Sequence, residues 1–264
     1  MTGRRTLRTA FAVLHDGPRP LVLPNAWDVA SARAFVAAGF PAVATTSLGV
    51  CASLGLVDGA RAGRGAVVAL AAALRDLPCP VSVDLEDGFA ADPAEVAALV
   101  GSLGVAGVNL EDSTDGVLVP AAAHAAKVAA VRRRCPDVFV NARVDTHWLG
   151  GPGPVDDTLA RALAYVDAGA DGVFVPGPLT DAQVRDLAAA VPVPLNVLPD
   201  PGRTLDDLAA LGVRRVSTGS LPYRAALRAA VDAACAVRDG AAPPRAVPYA
   251  DVQALAVTAA ADRS

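Results

Sequence analysis

The sequence predicts an α/β protein folded as a (β/α)8 TIM barrel. The prediction rests on eight short apolar runs that alternate with eight helical patterns. Strands that alternate with helices form parallel sheets, and eight such units in about 200 residues suit a closed barrel. A doubly wound open sheet is the alternative that the same alternation allows.

The apolar runs are short, and each ends at polar or turn-forming residues. In chain order they cover residues 21–23, 42–46, 81–88, 107–111, 138–143, 172–175, 195–198 and 215–217. We predict these runs to be the strands of the barrel. The stretch at 81–88 stands out because an apolar strand ends there in three acidic residues and a glycine.

Helical patterns separate the apolar runs. They cover about 4–16, 28–38, 64–76, 92–103, 121–134 and 156–168, then start near Thr180 and after Thr204. Asp92-Pro93 is a typical helix start, with a capping side chain and a proline at the first position. Gly39 and Gly104 are typical helix ends. The glycine-containing segment between 47 and 63 and the Gly/Pro-rich segment at 149–154 are predicted loops.

Composition predicts one large domain. The chain has 264 residues, of which 53% are hydrophobic and 19% charged, so it can bury a large core. We expect one domain over 1–264, with a C-terminal helical extension at about 243–264 that begins at Pro243-Pro244. Its last helix, near 249–261, is expected either to pack on a neighbouring subunit or to cap its own barrel.

Charge and hydropathy exclude several functional classes. A net charge of -4 gives no reason to expect nucleic-acid binding. No run approaches the roughly 18 apolar residues of a membrane span, and no apolar segment follows the basic start at 1–5, as a signal peptide requires. Four scattered cysteines without a CxxC pair favour free thiols in a cytoplasmic protein.

Polar side chains gather where the predicted strands end, the end of a barrel that carries chemistry. Because side chains alternate along a strand, Asp84 and Glu86 share one face of the third strand. Glu111 and Arg143 lie on the equivalent faces of the fourth and fifth strands. If the apolar faces pack on helices, these four charges converge on the barrel axis. Asn196, in the seventh strand, is a further candidate for substrate binding.

Three inward carboxylates repel one another unless a cation lies among them. Oxygen ligands without histidine or cysteine suit Mg²⁺, or Mn²⁺ in its place. The alternative is a buried arginine–carboxylate network that only braces the barrel. We favour the metal because one arginine cannot neutralise three carboxylates. Arg143 would then be free to hold an anionic substrate group.

A second group of candidates follows the second strand. The hydroxyl and N–H groups of Thr46, Ser47 and Leu48 can bind a carboxylate or a phosphate. His147-Trp148, after the fifth strand, is a lesser candidate for the site. The sequence offers no defensible Ser-His-Asp set and no Gly-rich phosphate loop.

Several segments keep the order and spacing of the motifs of a known superfamily. They are Pro24-Asn25-Ala26-Trp27-Asp28, Thr45-Thr46-Ser47-Leu48, Asp58, Val83-Asp84-Leu85-Glu86-Asp87-Gly88-Phe89, Asn109-Leu110-Glu111-Asp112 and Asn141-Ala142-Arg143. On these motifs the chain resembles the isocitrate lyase/phosphoenolpyruvate mutase superfamily over residues 21–225. Members cleave or form C–C or P–C bonds next to a 2-oxo acid, through an enolate held on a metal.

The resemblance implies a (β/α)8 barrel whose last helix is often swapped between subunits of a homodimer or homotetramer. It also implies a substrate carboxylate bound by 46–48 and contacted by Arg143. It implies a Mg²⁺ ion surrounded, partly through water, by Asp58, Asp84, Glu86 and Glu111. Arg143, Glu111 and Asp58 are therefore the candidate catalytic residues.

Three departures separate the chain from well-known members. Glu86 stands where many members have Asp, and no Lys-Lys-Cys-Gly-His lid follows Gly88. The segment 113–116 lacks the Lys or Asn of the phosphonate enzymes. We therefore expect a Mg²⁺-dependent enzyme for a small 2-oxo or 2-hydroxy (di)carboxylic acid, acting by C–C cleavage or decarboxylation. P–C bond chemistry and non-catalytic binding of an α-keto acid are the alternatives.

Overall fold

A parallel sheet of nine strands lies at the centre of the computed structural model, which describes residues 6–150 and 155–257. The strands of the sheet are β1 (Leu21–Leu23), β2 (Asn25–Ala26), β3 (Val43–Thr45), β4 (Val81–Asp84), β5 (Gly107–Glu111), β8 (Phe139–Arg143), β9 (Gly172–Phe174), β10 (Leu195–Val197) and β11 (Arg215–Ser217). A separate antiparallel hairpin pairs β6 (Ser113–Thr114) with β7 (Val117–Leu118). The sheet is curved into a barrel, which confirms the (β/α)8 prediction.

The two ends of the sheet are consecutive in sequence. The strand order is β1-β11-β10-β9-β8-β5-β4-β3-β2, and Pro24 alone separates β1 from β2. Proline has no N–H to donate to a ladder, so the pairing is interrupted at Pro24, and β2 follows as a separate strand outside the predicted run 21–23. The Leu23 carbonyl accepts from Thr218 N on the β11 side (3.0 Å), and the Pro24 carbonyl accepts from Ala44 N on the β3 side (2.8 Å). The barrel closes at this seam.

Helices surround the barrel. They are α1 (Leu7–Ala12), α2 (Val29–Ala37), α3 (Ser47–Ser53), α4 (Arg64–Leu74), α5 (Pro93–Leu103), α6 (Ala121–Arg134), α7 (Thr146–Gly150), α8 (Val155–Asp167), α9 (Asp181–Ala190), α10 (Leu205–Ala210), α11 (Leu221–Arg238) and α12 (Tyr249–Val257), with a 3-10 turn at Val13–His15. Asp92 caps α5 by accepting from Ala94 N, and Gly104 ends it with φ 68°. Both predicted signals are confirmed.

The structure differs from the predicted elements in four places. The predicted loop after β3 begins with α3, because the Thr46 side chain caps it and accepts from Gly49 N. Position 49 has room for glycine but not for a larger residue, because a Cβ there would lie 2.8 Å from the Thr46 methyl group. The β6–β7 hairpin and α7 were not predicted. β4 ends at Asp84, so the strand prediction for 85–88 is wrong.

The inside of the barrel is apolar near the end where the strands begin and polar near the end where the strands finish. Phe11 of α1 is fully buried and meets Phe139 edge-on at 5.3 Å, which closes the end where the strands begin. A second group of apolar residues packs between the sheet and the helices, for example Val83, Leu110 and Val140. The polar part faces the ends of the strands, where the candidate site lies.

The C-terminal helices leave apolar side chains in solvent. Leu227 and Val231 of α11 are more than half exposed. In α12, the Leu255 carbonyl accepts from Arg33 of α2 in the same chain. The part of the predicted last helix beyond 257 lies outside the described residues. Among the helices in the described part of the chain, none is long and apolar enough to cross a membrane.

Candidate functional site

A cavity of about 200 Å³ opens where the barrel strands end. This volume is below the ~300–1,000 Å³ of sites for drug-sized ligands, so the cavity suits a small molecule. Its lining is Asn25, Thr46, Ser47, Leu48, Asp58, Gly59, Asp84, Asn109, Glu111, Ser113, Gly116, Arg143, Trp148, Leu149, Phe174, Pro176, Leu198, Ser217, Gly219 and Ser220.

Three of the four predicted metal ligands line this cavity. Asp84 is the last residue of β4, and its Oδ2 accepts from Ser47 N at 3.1 Å. Glu111 is the last residue of β5 and is buried. Asp58 reaches the cavity from the segment after α3. The strand ends therefore bring Asp84 and Glu111 together, as the alternation of side chains predicts.

Glu86 does not line the cavity, which corrects the prediction that it points to the barrel axis. The strand ends two residues earlier, and Glu86 has a left-handed backbone with φ 49°. Its Oε2 accepts from Arg61 N at 2.9 Å. Its other oxygen is 3.9 Å from the Cys51 thiol. Oxygens of Glu86 and Asp58 and the Cys51 sulfur lie within 4.8 Å of one another, so Glu86 is next to Asp58 although it does not line the cavity.

Burial and mutual repulsion raise the pKa of these carboxyl groups. The pKa of Glu111 is well above its usual range because of burial, although Arg143 opposes the shift. Burial, and then Asp58 and Asp84, raise the pKa of Glu86 to about 7 despite the Arg61 N–H. Burial and Asp84 also raise the pKa of Asp58. Such clustered carboxylates lower their free energy by binding a cation.

Arg143 supplies the positively charged side chain among the described residues of the cavity lining. Its Nη1 lies 2.7 Å from Glu111 Oε2, and its Nε donates to Asp145 Oδ1 at 2.6 Å. The guanidinium carbon lies 5.7 Å from the Trp148 ring centre and 5.8 Å from that of Phe174. Nη2 makes no hydrogen bond to any described residue, which leaves one donor edge for a ligand.

The predicted anion-binding segment is partly used by the protein itself. Thr46 caps α3 and Ser47 N donates to Asp84, while the Ser47 side chain opposes the rise in the pKa of Asp58. Leu48 N lies in the first turn of α3, where N–H groups have no partner within the helix. All three predicted residues line the cavity, but Leu48 offers the free backbone donor.

Asn196 does not line the cavity, so direct contact with a substrate there is not supported. It is fully buried, its Nδ2 donates to Ser217 Oγ at 3.0 Å, and its Oδ1 accepts from Ser217 N at 3.1 Å. Ser217 does line the cavity. Asn196 therefore fixes a residue of the cavity floor.

Several cavity residues were missing from the predicted site. Asn25 and Ser217 were visible as polar strand ends, but nothing in the sequence distinguished them from other polar strand ends. Trp148 follows a predicted strand and was a lesser candidate, whereas Phe174 has no polar group to signal a role. Asp145, which holds Arg143, is on the same alternating face of the fifth predicted strand as Arg143, but no role was predicted for it.

Oxygen ligands fit Mg²⁺ at this position. Asp58, Asp84 and Glu111 supply carboxylate oxygens at a cavity with one arginine, and hard cations prefer such oxygens. The Cys51 thiol, whose pKa is raised to about 11 by burial and Glu86, is not among the residues that line the cavity.

Comparison with known proteins places this site in a family. The model of the phosphoenolpyruvate phosphomutase family matches residues 11–238. The chain belongs to this family. An uncharacterized protein of Mycobacterium tuberculosis is 54% identical over 248 residues, which are 94% of this chain and 96% of the relative. A solved structure of a provisionally assigned phosphonomutase from Burkholderia cenocepacia is 40% identical, with a TM-score of 0.79 over 84% of this chain and 96% of that one.

Characterised members of the wider isocitrate lyase/phosphoenolpyruvate mutase superfamily perform several reactions. A 2-methylisocitrate lyase of Bacillus subtilis is 29% identical over 74% of this chain and 67% of the relative. Oxaloacetate decarboxylases and acetylhydrolases also belong to the superfamily. A phosphonopyruvate hydrolase structure with oxalate and Mg²⁺ shares the fold, with 24% identity and a TM-score of 0.83 over 95% of each chain.

Proposed function

We propose that the protein is a Mg²⁺-dependent enzyme that breaks a C–C bond, by cleavage or decarboxylation, in a small 2-oxo or 2-hydroxy (di)carboxylic acid. The observation that carries the proposal is the set of cavity carboxylates, Asp58, Asp84 and Glu111, beside Arg143, the one arginine among the described residues of the lining. Membership of a family whose wider superfamily contains such lyases and decarboxylases supports it.

The proposed ligands of Mg²⁺ are carboxylate oxygens of Asp58, Asp84 and Glu111, which bind the ion directly or through water. Glu86 lies next to Asp58 but outside the cavity lining. Bound there, Mg²⁺ supplies a Lewis acid that stabilises negative charge on the oxygens of the substrate. Asp84 is held for this task by Ser47 N and by the Thr45 hydroxyl, which accepts from Asp84 N at 2.9 Å.

The chain's own donors orient the acid. Arg143 Nη2 is placed to donate to one carboxylate oxygen, because Asp145 and Glu111 hold the rest of the guanidinium in position. Leu48 N and the hydroxyls of Thr46 and Ser47 are proposed to orient the other end. Trp148 and Phe174 exclude water from the faces of the guanidinium.

Two reactions fit this arrangement, and both pass through an enolate. With a 2-hydroxy acid, loss of the hydroxyl proton forms a 2-oxo acid, the adjacent C–C bond breaks, and its electron pair remains on the departing fragment. With a 2-oxo dicarboxylic acid, CO₂ leaves and the remaining fragment keeps the electron pair. We assign the proton transfers to Glu111 and Asp58, two carboxyl groups of the cavity lining whose pKa values are raised by burial.

The test is turnover by the purified protein with and without Mg²⁺. Oxaloacetate, dimethylmalate and methylisocitrate-type acids are offered, and release of pyruvate or another 2-oxo product is measured. We expect release from at least one acid, with loss of the activity on chelation by EDTA. No 2-oxo product from any of them contradicts the proposal.

Two other functions would give different results. P–C bond chemistry would convert phosphonopyruvate, which phosphorus NMR detects. A binding protein without catalysis would bind oxalate tightly in calorimetry, in a Mg²⁺-dependent way, and turn over none of the acids. The cavity lining gives no cation besides Arg143 for a phosphoryl group among its described residues, so we rank P–C chemistry second.

We also propose that the protein is a homodimer or homotetramer associated through α11. Leu227 and Val231, spaced four residues apart, are 51% and 59% exposed and form an apolar stripe on one side of this helix. Sedimentation equilibrium is expected to give a dimer or tetramer, and Leu227→Glu with Val231→Glu is expected to give a folded monomer. A monomeric parent protein contradicts the proposal.

A further inference from the structure

Arg215 is a buried arginine inside the barrel, at the start of β11. It is 1% exposed and forms no ion pair with a described residue. Because side chains alternate along a strand, Arg215 shares a face with Ser217, which lines the cavity. The Phe11 ring centre lies 5.8 Å from the guanidinium carbon and covers it from the end where the strands begin. A positive charge is therefore enclosed between Phe11 and the cavity.

The environment of Arg215 differs from that of Arg143, the arginine of the cavity lining. Arg143 Nη1 lies 2.7 Å from Glu111 Oε2, and its Nε lies 2.6 Å from Asp145 Oδ1, so two carboxylates balance its charge. Burial lowers the pKa of Arg215 to about 9, with Asp84 opposing the shift. Arg215 therefore keeps its proton at neutral pH, and no adjacent carboxylate among the described residues balances its charge.

The guanidinium contacts two residues that line the cavity, Asn109 and Ser217, which we call the floor residues. Its Nε donates to Ser217 Oγ at 3.0 Å, and its Nη2 donates to Asn109 Oδ1 at 3.4 Å. Its Nη1 is buried without a hydrogen-bond partner among the described residues. Because an enclosed charge without a counter-charge is costly, a residue that only braced the barrel would not need to be an arginine.

Arg215 determines which end of the Asn109 amide faces the cavity. Arginine has donors and no acceptor, so the atom of Asn109 next to it must be the oxygen. Asn141 Nδ2 also donates to this oxygen, at 2.7 Å. Asn109 Nδ2 makes no hydrogen bond to a described residue, so it is left as a donor for the cavity.

The Ser217 hydroxyl is fixed in the same way. Its oxygen accepts from Arg215 Nε and from Asn196 Nδ2, each at 3.0 Å. These two donors occupy both lone pairs of the oxygen, so the hydroxyl hydrogen must be donated elsewhere. No described residue accepts it, and Ser217 lines the cavity. The floor residues therefore present two donors above an enclosed positive charge.

We propose that Arg215 is a positioning residue that prepares the floor residues to bind an anionic oxygen of the ligand and that weakens the binding of Mg²⁺. Two donors suit a carboxylate oxygen and disfavour a cation, and the charge beneath them acts in the same direction. The inference rests on the proposed function, in which an anionic acid and Mg²⁺ share the cavity. Removal of the charge changes the two affinities in opposite directions, whereas removal of a brace would weaken both.

The test measures Mg²⁺ affinity without acid, and oxalate affinity at saturating Mg²⁺, by calorimetry. For Arg215→Met we expect Mg²⁺ to bind roughly three- to tenfold more tightly and oxalate to bind more weakly by a similar factor. Arg215→Lys keeps a positive charge and its donors, so both affinities are expected to stay within about twofold of the parent protein.

Arg214→Met is the matched control for the loss of an arginine. Arg214 precedes β11, is exposed, and donates to the Gly17 carbonyl at 3.4 Å. Its charge lies in solvent, where it is screened, so the variant is expected to alter neither affinity. Equal responses of Arg214→Met and Arg215→Met would contradict the inference.

Ser217→Ala separates the floor donors from the charge. The variant removes one donor of the floor and leaves Arg215 in the chain. We expect oxalate to bind roughly threefold or more weakly, while the Mg²⁺ affinity stays within about twofold of the parent protein. Unchanged oxalate affinity would show that the floor residues do not bind the anion.

Weaker binding of both ligands to a folded Arg215→Met protein overturns the inference, and so do unchanged affinities. Thermal unfolding shows whether the variant is folded. Arg215→Gln, which removes the charge but keeps N–H donors, replaces it if it is not, and the same two directions are expected. A parent protein that binds neither Mg²⁺ nor oxalate contradicts the proposed function itself, whereas a parent that binds both leaves any failure with Arg215 alone.

Discussion

Glu86-Asp87 and Glu111-Asp112 are two pairs of neighbouring acids, and within each pair the two carboxylates have opposite environments. Asp87 accepts from Arg61 Nε at 3.0 Å, from Thr114 Oγ1 at 2.8 Å and from Lys127 Nζ at 3.1 Å. These donors lower its pKa despite burial. Glu86, one residue earlier, has a pKa raised to about 7 by burial and nearby carboxylates.

Asp112, one strand away, is also paired with several donors, although burial raises its pKa whereas that of Asp87 is lowered. Its oxygens accept from Asp145 N at 2.8 Å, Tyr165 Oη at 2.6 Å and Arg161 Nη1 at 3.0 Å. Its neighbour Glu111 lines the cavity and pairs with Arg143, which is its one ion-pair partner among the described residues. The comparison shows that the two aspartates, Asp87 and Asp112, hold the loops at the strand ends through several donors. The two glutamates, Glu86 and Glu111, have fewer positively charged partners.

The largest expected effect concerns the carboxylates that line the cavity. Asp84→Asn is expected to reduce turnover of the best acid by roughly 10³-fold or more, because a proposed metal ligand is lost. Unfolding in urea with EDTA is expected to change by less than about 1 kcal/mol, since the change removes charge from a repelling cluster. Full activity of the Asp84→Asn variant would contradict the proposal that Asp84 binds Mg²⁺.

The paired carboxylates are expected to show the reverse, a large effect on stability. Asp112→Asn is expected to lower the free energy of unfolding by about 3–5 kcal/mol, because Arg161 loses a buried counter-charge. Urea denaturation followed by circular dichroism measures it. Asp157→Asn is the matched control: Asp157 pairs with the same arginine at 3.2 Å but is 57% exposed, so we expect a change of less than about 1 kcal/mol. Similar losses in the two variants would refute the distinction.

Glu86 and Asp87 are expected to change the free energy of unfolding in opposite directions as the pH rises. Glu86 binds its proton more tightly in the folded protein, with a pKa of about 7 against 4.5, so its contribution to stability is present below about pH 4.5 and is lost as pH rises to about 7. Glu86→Gln is therefore expected to stabilise the metal-free protein at pH 8 by up to about 3 kcal/mol. Asp87 has a lowered pKa, so its contribution is present above pH 3.8 and is lost on acidification below that value.

Chemical denaturation at pH 5 and pH 8 in EDTA measures the effect of Glu86→Gln. The gain at pH 8 should shrink at pH 5, where Glu86 of the parent protein is already protonated. An equal gain at both pH values would show that the carboxylate charge is not the cause.

The smallest expected effect comes from removing one donor of a well-paired carboxylate. Thr114→Val takes one hydrogen bond from Asp87 but leaves Arg61 and Lys127 in place. We expect a loss of about 1 kcal/mol of unfolding free energy and activity within about twofold of the parent protein. A loss as large as that of Asp112→Asn would mean that single donors, and not the ion pairs, hold these loops.

Local patterns in the sequence predicted the barrel and part of the site. The bounds of β5 and α6 match because their periodicity and end signals agree. Asp84, Glu111 and Arg143 were found because a strand has a fixed alternation and parallel strands end at the same side of a barrel.

Other features depend on contacts between residues far apart in sequence. Glu86 was misplaced because alternation stops where the backbone turns to φ 49°, and no local pattern marks that point. The partners of Asp87 come from 26 and 40 residues away. Asn196 has the polar side chain that a ligand contact requires, but its neighbour in β11 takes both of its polar atoms.

The seam between β1 and β2 has a consequence for folding kinetics. Asn25 follows Pro24 directly, its N–H donates to Thr218 Oγ1 at 2.9 Å, and its Oδ1 accepts from Gly219 N at 3.0 Å. These contacts join residues 193 and 194 positions apart in sequence, so they form after the local units. During refolding, recovery of ligand binding is therefore expected to lag behind recovery of helical circular dichroism.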